Sequence, residues 1–196
     1  AFALAPGKTA SGHATLLINP HQPYFDFGQF YEVHVRSAED GGFNYTGGTF
    51  FGNPLPILGW NEFMGWAMTT NRPDVADTWQ VKFEDPKNPL AYKYGEEWRQ
   101  ATEWSEVIKV KVGDSIEDRQ YTFRKTHHGP CTKKVNDNTW LAARISKLYD
   151  GFFPKQLLAM ARSKSIPEFK KALSIRDFQY QHLTIADKLG NIAYIY

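Results

Sequence analysis

Residues 1–21 read AFALAPGKTASGHATLLINPH, two apolar runs around a cluster of turn residues. Residues 2–5 form the first run, Pro6, Gly7 and Gly12 supply the turn chemistry, and residues 14–18 form the second. Short apolar runs bounded by Gly and Pro predict strands, and two in succession predict a β-hairpin. Chain ends are loose unless a sheet ties them down. A hairpin at the first residue therefore predicts a chain cut from a larger sheet.

Outward from this hairpin the β signal continues. Strand-like runs cover residues 30–35, 62–70, 78–83, 107–112 and 120–125, the last two flanking GDSIEDR as a predicted hairpin loop. Trp60, Asn61 and Glu62 read as a turn before the strand that carries GWAMTTN. Helical spacing of apolar residues appears late, in FPKQLLAMARSK, and SIPEFKKAL follows it with Ser165 and Glu168 in capping-box spacing and Pro167 in the first turn. HLTIADKLGNIAYIY, residues 182–196, predicts a final hairpin. The fold class is α+β, mostly β with a late helical pair. No repeat or low-complexity linker interrupts residues 1–196, so the sequence predicts one segment without an internal boundary.

Composition narrows the function. Lys plus Arg number 23 against 21 for Asp plus Glu, a net charge of +2. That balance argues against nucleic acid or an anionic membrane surface as partner. No apolar run approaches the roughly 18 residues of a membrane-spanning helix. The single cysteine, Cys131, excludes an internal disulfide and a cysteine-based zinc site. His127 and His128, in THHGP, would point to opposite faces if they lay in a strand, which argues against joint metal coordination.

Five segments in one order resemble the penicillin amidase family of N-terminal-nucleophile hydrolases. The opening 21 residues are similar to the start of that family's β-chain, with Asn19, Pro20 and His21 in its Asn-Asp-Pro-His slot. PLPILGWNEFMGWAMTTNRPDVADTW resembles its Gly-x-Asn turn, Trp strand, Thr-Asn corner and Asp-x-x-Asp loop. THHGP, the helical pair and the Ala-Asp-x-x-Gly-Asn-Ile hairpin follow in family order. The resemblance implies a portion of an αββα four-layer sandwich and an N-acyl amide hydrolase of the penicillin or acyl-homoserine-lactone acylase type. It also implies a self-cleaving precursor whose new N-terminal serine is the nucleophile. Aligned this way, Ala1 takes the family's third β-chain position, so that serine lies just before Ala1 and outside these residues. Ser11, in the hairpin turn, is not a substitute.

Residue by residue, the resemblance makes His21 an orienter beside the nucleophile's amine and the Thr70 backbone N–H an oxyanion donor. Its second oxyanion donor is an asparagine eight residues before the turn glycine, and that position holds His182 here. A neutral imidazole can donate one N–H. Gln22, Leu58 and Met68 fall on the acyl-pocket positions, and Leu and Met suit an apolar acyl group. Asp74, the Ala76 carbonyl and Asp77 match a loop that binds a structural Ca2+ in several members. No catalytic cofactor is implied. The implied partners are the α-chain of the same precursor, the rest of the β-chain and a small N-acyl amide, in a periplasmic or secreted setting. The alternative is a non-catalytic homologue or fragment that binds an amphipathic ligand, supported by the Ser-Asn pair not being among these residues and by His182.

Overall fold

The computed structural model describes residues 1–39, 41–149, 151–178 and 181–196. Its contacts fall into two compact units, residues 1–73 with 150–196, and residues 74–149. The sequence reading drew no boundary here. The join at residues 71–75 is a short loop without the Gly/Ser-rich composition that marks a linker.

The first unit opens with the hairpin of β1 (Phe2–Leu4) and β2 (Thr15–Leu17), in which Phe2 faces Leu17 and Leu4 faces Thr15. Strands β3 (Phe30–Ser37), β4 (Phe43–Phe50), β5 (Leu58–Asn61) and β6 (Met64–Thr70) follow as an antiparallel meander. The second unit holds β7 (Ala76–Lys82), β8 (Ala91–Tyr94), β9 (Glu97–Gln100), β10 (Thr102–Val112), β11 (Ser115–Thr126), β12 (Gly129–Lys134) and β13 (Thr139–Ile145). The chain then returns to the first unit with α1 (Phe153–Arg162), α2 (Ile166–Leu173), β14 (Gln181–Asp187) and β15 (Ile192–Ile195). Strand β14 pairs with β6, giving a six-stranded sheet in the order β15-β14-β6-β5-β4-β3.

Period-two alternation sends Met64, Trp66 and Met68 of β6 to one face of this sheet, against both helices. Trp66 is fully buried, stacked on Tyr45 at 4.5 Å between ring centroids and tilted against Phe169 of α2 at 4.8 Å. Its indole N–H donates to the Ile57 carbonyl at 3.0 Å, so the ring is buried without an unpaired donor. The Tyr45 hydroxyl, equally buried, has no partner among the described residues, and burial raises its pKa well above the ordinary value. Gly65 points to the opposite face, where a Cβ on it would meet Leu16 of β2 at 3.1 Å. The first unit is therefore layered as helices, sheet and hairpin.

Two local devices hold these layers. Gly47 and Gly59 face each other across β4 and β5, and a Cβ on either would lie about 2 Å from a backbone carbonyl, 1.9 Å for Gly47 and 2.0 Å for Gly59. Asn61 closes the β5–β6 turn: its Oδ1 accepts from the amides of Phe63 and Met64 at 2.9 and 3.0 Å. Its Nδ2 donates to the carbonyls of Ala161 and Ser163 at 3.0 and 2.8 Å, at the end of α1. The helix α2 starts as its sequence predicts, with Ser165 Oγ accepting from the Glu168 amide, while Glu168 Oε2 accepts from Lys164.

In the second unit, a five-stranded sheet of order β10-β11-β12-β13-β7 and the β8–β9 hairpin surround a small core of Val81, Phe83, Tyr92, Ala101 and Ala142. The β10–β11 turn is Gly113 and Asp114 alone, with φ of 60° at Gly113. Most of the predicted GDSIEDR loop is thus strand. Those residues lie on an exposed two-stranded ribbon, where nothing demands an apolar alternation. His127 and His128 also depart from the sequence reading, because they form the β11–β12 turn and their ring centroids approach to 3.8 Å. His128 stacks on Trp79, and Tyr92 is hydrogen-bonded to His127 Nδ1 at 2.9 Å.

Replacing Asn61 with Ala strips partners from four backbone groups, and a loss of about 2–3 kcal/mol is expected in denaturant unfolding. Tyr45→Phe removes only an unpaired hydroxyl and should leave stability unchanged or higher in the same titration. Burial, aided by Arg99, holds His127 below the ordinary histidine value, and burial, His127 and Arg99 do so for His128. The unfolded chain then takes up protons first, so the stability they lend is complete above about pH 6.5 and is lost as pH falls through the lower folded values. The fall in Tm from pH 7 to 5 should be shallower in the His127→Gln/His128→Gln double variant, read as slope.

Candidate active site

The sheet of the first unit has two ends, and the hairpin β1–β2 distinguishes them. At one end is the β14–β15 turn, where a Cβ on Gly190 would meet Pro6 at 2.8 Å. From Pro6 the strand β1 runs back toward Ala1, and β2 runs the same way from Thr15 past Leu17 to His21. The Ala1 end of the hairpin is thereby carried toward the other end, where Thr70 of β6 pairs with Gln181 of β14.

A cavity of about 450 Å³ opens at that second end. Ile57, Leu58 and Met68, all buried, make its floor, and Phe30, Phe50 and Phe178 make its sides. Phe30 and Phe50 meet edge to face at 4.3 Å, which fixes the width of that wall. The rim is polar: His21, Gln22, Thr69, Thr70, Arg72 and Gln181. An apolar floor below a polar rim suits a ligand with a greasy tail and a polar head.

Five residues expected from sequence, His21, Gln22, Leu58, Met68 and Thr70, thus share the wall of one cavity. His182 does not line it. It faces Thr69 across the ladder, its Nδ1 is hydrogen-bonded to the Tyr194 hydroxyl, and its ring lies 5.8 Å from that of Tyr194 and 5.2 Å from that of Tyr196. When Tyr194 donates to Nδ1, the neutral ring carries its proton on Nε2 and keeps one N–H to offer.

Asp74, Ala76 and Asp77 belong to the second unit. Ala76 and Asp77 open β7, paired with Ile145 and Arg144, and both carboxylates are exposed. Among the described residues no three His, Cys, Asp or Glu side chains cluster as for a metal ion. Calcium takes six to eight oxygens, so the two carboxylates and the one carbonyl do not make a complete site by themselves.

Sequence reading missed Arg72, Phe178 and Gln181 on the wall. Arg72 has φ of 61°, a left-handed conformation that no local signal announces. Phe178 is held by Gln156 of α1, a buried glutamine inside an otherwise apolar helix face. Gln156 Oε1 accepts from the amides of Asp177 and Phe178 at 2.8 and 2.9 Å, and Nε2 donates to the Phe178 carbonyl at 3.1 Å. That polar residue on the buried stripe was the available clue.

The sequence model of the family described as Penicillin amidase matches residues 1–196. The chain belongs to the penicillin amidase family. It is 24% identical over 207 residues to the Aculeacin-A acylase of Actinoplanes utahensis, an alignment covering 99% of this chain and 25% of that protein. It is 21% identical over 202 residues to the acyl-homoserine lactone acylase PvdQ of Pseudomonas fluorescens, covering all of this chain and 26% of the relative. Its fold superposes on the thermostable penicillin G acylase of Alcaligenes faecalis with a TM-score of 0.79 at 27% identity, over 98% of this chain and 34% of that one. The chain spans about a quarter of the length of the curated relatives it matches. These relatives are acylases, and the α+β fold is theirs.

Gln156→Leu would leave the amides of Asp177 and Phe178 without their acceptor. A loss of about 1–3 kcal/mol is expected, with faster amide hydrogen exchange at Phe178 as the local readout.

Proposed function

We propose that the protein containing this chain hydrolyses N-acyl amides, with the acyl group lodged in the cavity at the open end of the first unit's sheet. One observation carries the reading: His21, Gln22, Leu58, Met68 and Thr70 come together on one apolar-floored cavity, at the end toward which β1 carries Ala1. The acylase names of the relatives supply the reaction class.

In the reading proposed, a serine two positions before Ala1, separated from it by one asparagine, is the N-terminal residue of the processed chain and the nucleophile. Its own α-amine, with a reference pKa of about 7.7–8.0, is neutral often enough near physiological pH to take the hydroxyl proton. The Oγ adds to the amide carbonyl, the oxyanion is met by the Thr70 N–H and the His182 Nε2–H, and the amine departs with a proton. Water then clears the acyl-enzyme by the same route. His21 orients the amine; Gln22, Leu58 and Met68 hold the acyl chain. The α-chain and the rest of the β-chain complete the site, the enzyme works in the periplasm or outside the cell, and any structural calcium at Asp74, Ala76 and Asp77 draws further ligands from those segments.

His182 is the departure that favours the second reading, a protein that binds an amphipathic ligand without cleaving it. The test uses the full gene product. Intact mass and N-terminal sequencing should show a chain beginning with the serine before Ala1, labelled stoichiometrically by a serine-directed sulfonyl fluoride. No label on correctly processed protein would leave the binding reading in its place. If His182 donates, His182→Asn keeps turnover and His182→Phe lowers kcat by about 10²–10³, the usual cost of an oxyanion donor.

A further inference from the structure

Among the described residues, Arg72 is the one on the cavity wall with a permanent charge, and none on the wall carries a carboxylate. Among the described residues it forms no ion pair. Its side chain is exposed at the rim, while Leu58 and Met68 beneath it are buried. Arg72 thus lines an apolar-floored pocket, and among the described residues its guanidinium makes no hydrogen bond or ion pair.

The backbone makes this placement more telling. Arg72 adopts φ of 61°, where glycine or asparagine is far easier to accommodate than a long side chain. An arginine there gains nothing from local conformation. What it gains is position: it lies two residues beyond Thr70, at most about 7 Å along the chain. An acyl group on the apolar floor puts its carbonyl near Thr70, and the departing amine then lies toward the rim. A planar fork of donors at that point matches a carboxylate.

We infer that Arg72 selects amides whose amine portion carries a carboxylate, N-acyl amino acids being the simplest class, over amides of neutral amines such as homoserine lactone. The inference rests on the amide-hydrolase reading for which end of the ligand faces the rim. It adds the chemistry of that end.

A matched pair of ligands isolates the point. N-octanoyl-homoserine lactone and its ring-opened acid share an acyl chain; ring opening adds water, giving a carboxylate and an uncharged γ-hydroxyl, so only the carboxylate adds a charge. Binding of each to the full gene product is measured by calorimetry at pH 6.5, where the lactone stays closed, alongside release of octanoate. The acid should bind roughly 10–100-fold more tightly than the lactone, the range of one charge-assisted hydrogen-bonded pair. Arg72→Gln should bring that ratio close to one, Arg72→Lys should keep part of it, and 0.5 M salt should shrink it in the native protein. A ratio near one in the native protein, absence of binding by both ligands, or a ratio unchanged by Arg72→Gln overturns the inference. The last result would mean the guanidinium is spent on a carboxylate from elsewhere in the protein. Discrimination that depends on Arg72 without octanoate release supports the inference and counts only against the hydrolase reading.

Discussion

Asn61 satisfies two donors and two acceptors with one side chain, and the partners it joins lie a hundred residues apart. Its Oδ1 shapes the β5–β6 turn, so that Trp66 arrives in register under the helices. Its amide group meets the carbonyls of Ala161 and Ser163, which α1 leaves without intrahelical partners at its C-terminus. Ordinarily a glycine or a basic side chain answers those carbonyls. Here an asparagine from the sheet does so, and helix pair and sheet become one layered body. The cavity inherits this alignment, since Leu58 lies just before Asn61 on β5 and Phe178 is tied to α1 through Gln156.

The core built on that contact has aromatic rings at its centre, within a shell of aliphatic side chains. Tyr45, Trp66 and Phe169 form a continuous stack through the sheet–helix interface. Large rings need room, and the neighbouring strands supply it with small residues. Gly47 and Gly59 let β4 and β5 approach where a methyl group would strike a carbonyl, and Gly65 admits Leu16 on the far face. The glycines in TGG and LGW thus do not loosen the sheet. They set its spacing, which in turn sets the distance between Phe50, Leu58 and Met68 on the cavity wall.

Much of this was legible in the residues. The first hairpin, the capping box at Ser165 and the last hairpin follow from local turn chemistry and periodicity, and the structure has them. The turn expected at Trp60–Glu62 falls instead at Glu62 and Phe63, because Trp60 and Asn61 end β5. Strand β4 was illegible for a physical reason: FNYTGGTF carries two glycines mid-strand, a pattern that reads as a turn until the crossing with β5 is known. The β8–β9 hairpin and β12 are short and polar, and only their neighbours define them. At the site, resemblance placed His21, Gln22, Leu58, Met68 and Thr70. Arg72 and Phe178 were hidden, since a left-handed backbone and a hydrogen bond from a distant helix leave no local trace. The histidine pair of THHGP lies in a turn, which brings together side chains that a strand would separate.

The insertion of the second unit between β6 and α1 also orders events during synthesis. Residues 74–149 contain every partner their own sheet requires, so they can fold as soon as they are made. Strand β6 cannot finish so early, because its neighbour β14 lies more than a hundred residues further on. Until then Met64, Trp66 and Met68 face no helices, and one edge of β6 offers free backbone groups to any strand nearby. Pairing at such sequence separation is slow, and exposed edges recruit wrong partners. The ribosome, emitting roughly 5–20 residues per second, leaves this half-built sheet open for several seconds. The hairpin β1–β2 cannot close over it fully in that interval, because its packing partners include β14 and β15.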